Sequence, residues 1–539
     1  MQFDVWDELK GDASDFAASN AATLMKILRD NASSEYGRKY GFDRIGSLAD
    51  YRRQVPLSNY NEYYDDIIRM MKGGGAVTTS YNIRYYTRSS GTTGQNKVLP
   101  ITDEWMDLYL KFSYQCTWQR TEMHYGEHFG GRVFLTNEMH ITTLEEGVKS
   151  LLASGTAFAR QYETGEEDFS YCTSPTELLF PETDQDISYL KLLFALRDAD
   201  VIAVIGVYGH HLLQLLDVLK TEWKSLTEDI RSGEISDKID IPEDFRKTLN
   251  GYLSPNPARA DELVRVFEQG FDDPILPRIW PKLRVVMAIT GSTFREYQAA
   301  LKTYAGSVPY HCFIYAATEG FFGTPRDMGY EAEYILTPRT GFFEFIPAGE
   351  SEEKLLEDAS QLKKGERYEL VYTSFTGLYR YRMGDVVEVV DFYDTAPVIK
   401  VCYRVNQQIN VAGEKMNTAN MAGAVREYME AFGQPEGSFC VYPDMRTLPG
   451  HYLIFIEPEG EKPANEPERI DALLRAENYD YADCRNLGEI GLPEIRFLKK
   501  GTFLAYKQQM AATGQDMAQY KPVRILDDEK LGFFTEQED

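Results

Sequence analysis

The sequence has 539 residues, 43% of them hydrophobic and 26% charged, which is too long for one core and too apolar for a disordered chain. Lys and Arg number 57 against 84 Asp and Glu, a net charge of −27. So acidic a surface repels phosphate backbones and excludes general nucleic-acid binding, though not one anionic ligand in a locally positive pocket.

In chain order, the opening MQFDVWDELKGD carries acids where a secretory leader needs a basic start and an apolar run. The first sixty residues read as helical, with Leu24, Ile27 and Leu28 on one stripe. Short β-rich runs then alternate with helical patterns, the mark of a mixed α/β architecture. Strands are expected over 131–135, 201–207, 283–289 and 308–314, and a helix over 189–196, YLKLLFAL. The apolar run Val201–Ile205 is far too short to span a membrane and reads as a buried strand. Another strand, 386–390, is expected after a Gly-Asp turn. The stretches 351–366 and 457–469 are rich in charge and poor in core residues, so they read as solvated loops. After about residue 400 the pattern restarts as a smaller unit, giving domains at 1–403 and 404–539. Six cysteines lie dozens of residues apart with no CxxC pair, which suits a reduced cytoplasm better than disulfides or zinc.

Three segments carry chemistry. In YYTRSSGTTGQNKVLP (85–100), Ser89, Ser90, Gly91, Thr92, Thr93 and Gly94 precede Lys97. Small residues let backbone N–H groups approach phosphate oxygens, hydroxyls add donors, and the lysine adds charge. The Gly-Lys-Ser/Thr ending of a Walker loop and the GxGxxG of a dinucleotide site are both missing, and a flexible polar turn is the alternative reading. In YAATEG, Tyr315, Thr318 and Glu319 place a ring, a hydroxyl and a carboxylate at a strand end, suited to a base, a phosphate and Mg²⁺ respectively. In TSFTGLYRYRMGD, Asp385 could accept two hydrogen bonds from a ribose diol, or simply occupy a hairpin turn. His124 and His128 read HYGEH rather than HExxH, His210-His211 follow a strand and read as structural, and there is no GxSxG elbow.

Taken in order, SSGTTGQNK, YAATEG, YRYRMGD, a Tyr403-Arg404…Gly413-Glu414-Lys415 stretch and a late Gln519-Tyr520-Lys521 resemble the core motifs of the adenylate-forming superfamily. Within it the sequence is most similar to the auxin-responsive Gretchen Hagen family of acyl-acid amido synthetases. The resemblance implies a large N-terminal adenylate-forming domain with a smaller, mobile α+β C-terminal domain. It also implies ATP and Mg²⁺ as cofactors, a small carboxylic acid and an amino acid as substrates, and no nucleic-acid or membrane partner. Carried over by position, Ser89, Ser90, Thr92, Thr93 and Lys97 would handle phosphates, and Tyr315 would lie against adenine. Thr318 would touch the α-phosphate, Glu319 would serve Mg²⁺, and Asp385 would hold the ribose with Arg404 nearby. Lys415 and Lys521 would be C-terminal lysines, at least one reaching the reacting phosphate. Tyr403 and Asn406 depart from the Gly and charged hinge residue usual in the superfamily. Two alternatives keep part of this chemistry: an acyl-CoA ligase that passes the adenylate to a thiol, and a nucleotide-binding module without turnover.

Overall fold

The computed structural model describes residues 5–89, 97–126, 130–144, 146–182, 186–289, 296–329, 331–348, 356, 358–404, 408–409, 411, 414, 416–434, 437–447, 449–486, 488, 490–512, 520 and 522–539. The described chain divides into two compact units. The larger holds the residues up to Ser89, Lys97–Met383 and Val387–Val401; the smaller holds Gly384–Val386 and the chain from Cys402 to Asp539.

The larger unit opens on helices Val5–Ser14 and Phe16–Asp30. Asp15 caps the second by accepting from the Ala18 amide at 3.0 Å, and Leu24, Ile27 and Leu28 are buried on its inner face. Helix Ser188–Arg197 is apolar nearly all round and accordingly buried nearly all round. It lies over a four-stranded parallel sheet in the order Arg132–Leu135, Val201–Tyr208, Val285–Ile289, Tyr310–Cys312. Side chains alternate across that sheet. Phe134, Val204 and Val286 join the core beneath the helices Ser188–Arg197, Gly209–Ser232 and Pro257–Phe267, while Val133, Ala203, Val285 and Met287 face the second core.

That second core is shared with a seven-stranded, largely antiparallel sheet. Its order is Gly341–Pro347, Arg367–Ser374, Tyr381–Tyr393, Ala396–Arg404, Glu333–Leu336, Gly320–Pro325, Tyr315–Ala317. A third sheet carries Ile83–Ser89 against Lys97–Thr102. The expected strands at 131–135, 201–207 and 283–289 and the helix at 189–196 are present within a few residues, whereas 308–314 shortens to Tyr310–Cys312. Gly384-Asp385 is not a turn ahead of a strand. Both residues lie inside one long strand, Tyr381–Tyr393, which accommodates Gly384 at φ 75°. Only glycine adopts that conformation without strain, so the Gly-Asp pair is a local irregularity of the strand. The two charged stretches also carry more structure than loops: Ala359 and Leu362 are buried, and helix Pro467–Glu477 begins inside the second.

The smaller unit is built on a three-stranded sheet of Ser438–Asp444, His451–Glu457 and Glu494–Phe497. Alternation along its strands sends Phe439, Val441, Tyr452 and Ile454 toward helices Thr418–Glu430 and Pro467–Glu477. Cys440, Tyr442, Leu453 and Phe455 face helices Thr502–Ala512 and Asp528–Glu536. Among the described residues no helix is long and apolar enough to cross a membrane.

Candidate functional site

Three sequence-distant segments of the larger unit meet at Lys97. Ser89 and Lys97 are register partners on adjacent antiparallel strands, so they bracket the segment 90–96. Ala317 and Gly320 are partners in the next contributing hairpin, which leaves Thr318 and Glu319 as its two connecting residues. Glycine is required at 320 because a Cβ there would come within 2.4 Å of the Tyr372 ring. The third contributor is Tyr381, the first residue of its strand. It is bracketed by hydrogen bonds from Ser58 N to Arg380 O at 3.0 Å and from Arg382 N to Ser58 O at 2.8 Å.

The Lys97 ammonium donates to the Tyr381 hydroxyl at 3.0 Å and lies 3.7 Å from the Glu319 carboxylate. Tyr381 in turn donates to Glu319 Oε1 at 3.4 Å. The ammonium also sits 5.7 Å from the centroids of both the Tyr60 and Tyr381 rings, a cation–π setting. Glu319 is nearly buried, its side chain 5% exposed, while that of Lys97 keeps 23%. The Tyr60 hydroxyl accepts from Val98 N at 2.7 Å and donates to Val98 O at 3.1 Å; burial, with Glu319 nearby, raises its phenol above the usual range.

A buried ionic clamp stands behind Tyr381. Arg380 adopts φ 47°, a left-handed conformation in which its Cβ crowds the backbone carbonyl, at a cost of about 1 kcal/mol or more. Its guanidinium meets Glu344 at 3.0 Å and Val55 O at 2.8 Å, its amide donates to Thr373 Oγ1 at 2.9 Å, and Arg52 closes on the other Glu344 oxygen at 2.8 Å. These contacts over-determine the backbone where the site strand begins.

Of the residues singled out in the sequence, Lys97 and Glu319 are brought together, and Thr318 adjoins Glu319 in the hairpin connection. Tyr315 is 8% exposed, its ring 4.8 Å from that of Phe322 and 5.8 Å from that of Tyr334. Asp385 is buried four residues beyond Tyr381 on the same strand and groups with the smaller unit. Ser89 and Arg404 end their strands, Ile83–Ser89 and Ala396–Arg404. Ser90, Thr92, Thr93, Lys415 and Lys521 lie outside the described residues, as does His128. Tyr381 and Tyr60 were not singled out. Tyr381 does fall inside the YRYRMGD segment, whereas nothing in the local sequence marks Tyr60 or the Arg380–Glu344–Arg52 clamp.

Comparison with known proteins bears on the whole chain. The GH3 family N-terminal domain matches residues 6–310, the GH3 family central domain 334–404 and the GH3 family C-terminal domain 419–530. The chain belongs to the GH3 family. Among GH3 relatives, it is 30% identical to the probable indole-3-acetic acid-amido synthetase GH3.7 of Oryza sativa subsp. japonica, over 97% of this chain and 93% of the relative. It is 28% identical to the 4-substituted benzoates-glutamate ligase GH3.12 of Arabidopsis thaliana, over 96% and 94%. The solved GH3.15 acyl acid amido synthetase superposes with a TM-score of 0.82 at 23% identity, over 97% of this chain and 93% of that one. A 2-hydroxyisobutyryl-CoA ligase superposes with a TM-score of 0.51 at 12% identity, over 95% of this chain and 89% of that one, a likeness of fold.

Proposed function

We infer that this GH3 chain is a carbon–nitrogen ligase of the acyl-acid amido synthetase type, using ATP to couple a carboxylic acid to the amine of an amino acid. The observation that carries the reading is the meeting of Lys97, Glu319 and Tyr381, with separations of 3.0, 3.4 and 3.7 Å between groups drawn from three motifs. In the first step a carboxylate oxygen attacks the α-phosphorus of ATP and the bond to the bridging oxygen breaks, so pyrophosphate leaves and an acyl-adenylate forms. Negative charges are crowded together there, and positioned cations and donors rather than a covalent nucleophile stabilise the transition state. Lys97 supplies one such cation, oriented by the Tyr381 hydroxyl and the two flanking rings. Ser89, Ser90, Thr92 and Thr93 supply hydroxyls and backbone donors for the phosphates, Thr318 a hydroxyl for the α-phosphate, and Tyr315 an aromatic neighbour for the adenine. Asp385, with Arg404, receives the ribose.

The Glu319 carboxylate, beside Lys97 in the hairpin connection, is the residue that would hold a Mg²⁺ ion, which is commonly bound by one or two carboxylates plus substrate phosphates. Mg²⁺ would neutralise phosphate charge. In the second step the amine attacks the acyl carbon, AMP departs with the C–O electrons, and the amine loses a proton; holding the two reactants together is most of this work. Lys415 and Lys521 are the candidates for a cation delivered to the α-phosphate. The substrates are small molecules, and the reaction suits the cytoplasm, where ATP and free amino acids are abundant.

The test is a panel of carboxylic acids screened by ATP-dependent pyrophosphate release, followed by mass spectrometry of products formed with mixed amino acids and coenzyme A. An amide product supports the reading. A thioester without amide overturns the acceptor, and ATP binding without release for any acid overturns the enzyme.

A further inference from the structure

A cavity of about 130 Å³ lies in the larger unit where helices Phe16–Asp30 and Leu48–Gln54 meet the strand Gly341–Pro347. Neither Lys97, Glu319 nor Tyr381 lines it. The strand is the edge of the seven-stranded sheet, so half of its backbone groups point outward and need partners from elsewhere. Asn20, 4% exposed, supplies them at Phe343: its amide nitrogen donates to Phe343 O and its amide oxygen accepts from Phe343 N, both at 2.9 Å. At Phe345 the carbonyl accepts from Leu356 N at 3.1 Å. The alternation of the ladder turns the Phe345 N–H out of the same edge, and no described residue accepts from it.

Two side chains on the cavity wall are also incompletely used. Arg52 donates its Nε to Glu344 at 2.8 Å, but its two Nη groups donate to no described atom, although the side chain is only 20% exposed. Asp358 caps the 3-10 turn Ala359–Gln361 through Oδ1, which accepts from Ser360 N at 2.7 Å, while Oδ2 accepts from no described residue. Glu344 is already shared between Arg52 and Arg380. The remaining wall is apolar, with Ala21, Leu48 and Phe342.

The unused groups are thus a guanidinium edge, a backbone N–H and one carboxylate oxygen. A guanidinium edge and a backbone N–H together match a carboxylate, and an unpaired carboxylate in a partly dry cavity calls for a cation such as an ammonium. A cavity of about 150 Å³ holds a molecule the size of benzene, with six non-hydrogen atoms, so this one suits a molecule no larger. An α-amino acid of alanine's size carries both charged ends within that limit.

We propose that this cavity is a second, non-catalytic site for a small free α-amino acid. The carboxylate binds Arg52 and the Phe345 N–H, the ammonium binds Asp358, and the side chain lies against Ala21, Leu48 and Phe342. An occupant that fixes the Arg52 guanidinium braces, through Glu344, the Arg380 that precedes Tyr381. The binding claim is independent of the ligase reading above; that an amino acid is also a substrate rests on it.

The experiment is equilibrium dialysis of radiolabelled alanine against the full-length protein, without ATP or carboxylic acid. Wild type is compared with Ala21→Leu, which fills the cavity, and with Asp358→Asn, which removes the ammonium's partner and retains the capping oxygen. Each substitution is expected to weaken alanine binding about ten- to a hundredfold, for Asp358→Asn the weight of one charged hydrogen bond. As competitors, propanoate and ethylamine, each with one charged end, and phenylalanine, which is too large, should be at least about tenfold poorer than alanine. Acid-dependent pyrophosphate exchange without amino acid should be unchanged in both variants, since neither residue belongs to the Lys97 site. Alanine binding equal in all three proteins would place it elsewhere, the acceptor site included, and overturn the proposal. Absence of binding by the wild type overturns it too, as does propanoate competing as well as alanine. Absence of exchange with every acid would overturn the ligase reading alone, because the dialysis does not depend on turnover.

Discussion

Replacing Glu344 with glutamine tests how the site strand is held. The Glu344 side chain is 1% exposed and binds Arg380 Nε at 3.0 Å and Arg52 Nε at 2.8 Å. Glutamine keeps the shape but removes the only carboxylate paired with Arg380 among the described residues, whose own side chain is 7% exposed. Breaking a buried pair from one side costs about 3–5 kcal/mol, because the remaining charge stays desolvated. Arg380 retains the carbonyls of Val55 and Arg52, so the expected loss is about 3 kcal/mol, at the lower end of that range. Arg52→Met should cost only about 1 kcal/mol, since Arg52 is 20% exposed and its removal leaves Glu344 paired with Arg380. Removing both buried partners, in Glu344→Gln with Arg380→Gln, should cost less than the sum of the single changes by at least about 1 kcal/mol. The assay is tryptophan fluorescence in urea, which reports on the larger unit because Trp6, Trp105, Trp118, Trp223 and Trp280 all lie there. Since Arg380 immediately precedes Tyr381, exchange activity of the folded Glu344→Gln protein should fall as well. A loss below about 1 kcal/mol, or strict additivity, would refute the clamp.

Other perturbations address the site and its surroundings. Tyr381→Phe removes the donor that bridges Lys97 and Glu319 while keeping the ring, and should raise the KM for ATP up to about tenfold with the melting temperature little changed, as steady-state exchange and thermal unfolding will read. Asp385→Ala should weaken ATP binding about ten- to a hundredfold by calorimetry, with normal unfolding, if Asp385 receives the ribose hydroxyls. Lys521→Ala should cut exchange about tenfold, about 1.4 kcal/mol, yet spare amide formation from a supplied acyl-adenylate; equal loss in both half-reactions would shift the role to Lys415. His311, buried in a parallel strand, has its pKa lowered by burial from the ordinary 6.5 to about 3. A base depressed in this way keeps its full stabilising contribution above pH 6.5 and loses it as pH falls toward 3. Between pH 7 and pH 5 the wild type should therefore lose about 2 kcal/mol that His311→Gln does not, measured by urea unfolding at both values.

The α/β class and the strands were legible because each is local. Four or five apolar residues in a row read as a strand at 201–205, where the strand Val201–Tyr208 lies. What stayed hidden depended on tertiary packing. Gly384-Asp385 looks like a turn, and only strand pairing on both sides of it, with Gly384 at φ 75°, turns it into a strand irregularity. The Arg380–Glu344–Arg52 clamp joins positions hundreds of residues apart, and the 3.6-residue and 2-residue periodicities carry no information about such pairs. Tyr60 and Tyr381 are two among 36 tyrosines, so composition could not separate them from core rings.

The central claim is that a carboxylate oxygen attacks the α-phosphorus of ATP, and isotope transfer tests it most directly. The enzyme is given an acid labelled with ¹⁸O in both carboxylate oxygens, unlabelled ATP and an amino acid acceptor, and the nucleotide product is analysed by mass spectrometry. Attack at the α-phosphorus and later aminolysis of the acyl carbon predict AMP carrying one ¹⁸O and an amide retaining the other, with unlabelled pyrophosphate. ADP as the nucleotide product, with ¹⁸O in inorganic phosphate, would place the attack at the γ-phosphorus and contradict the account.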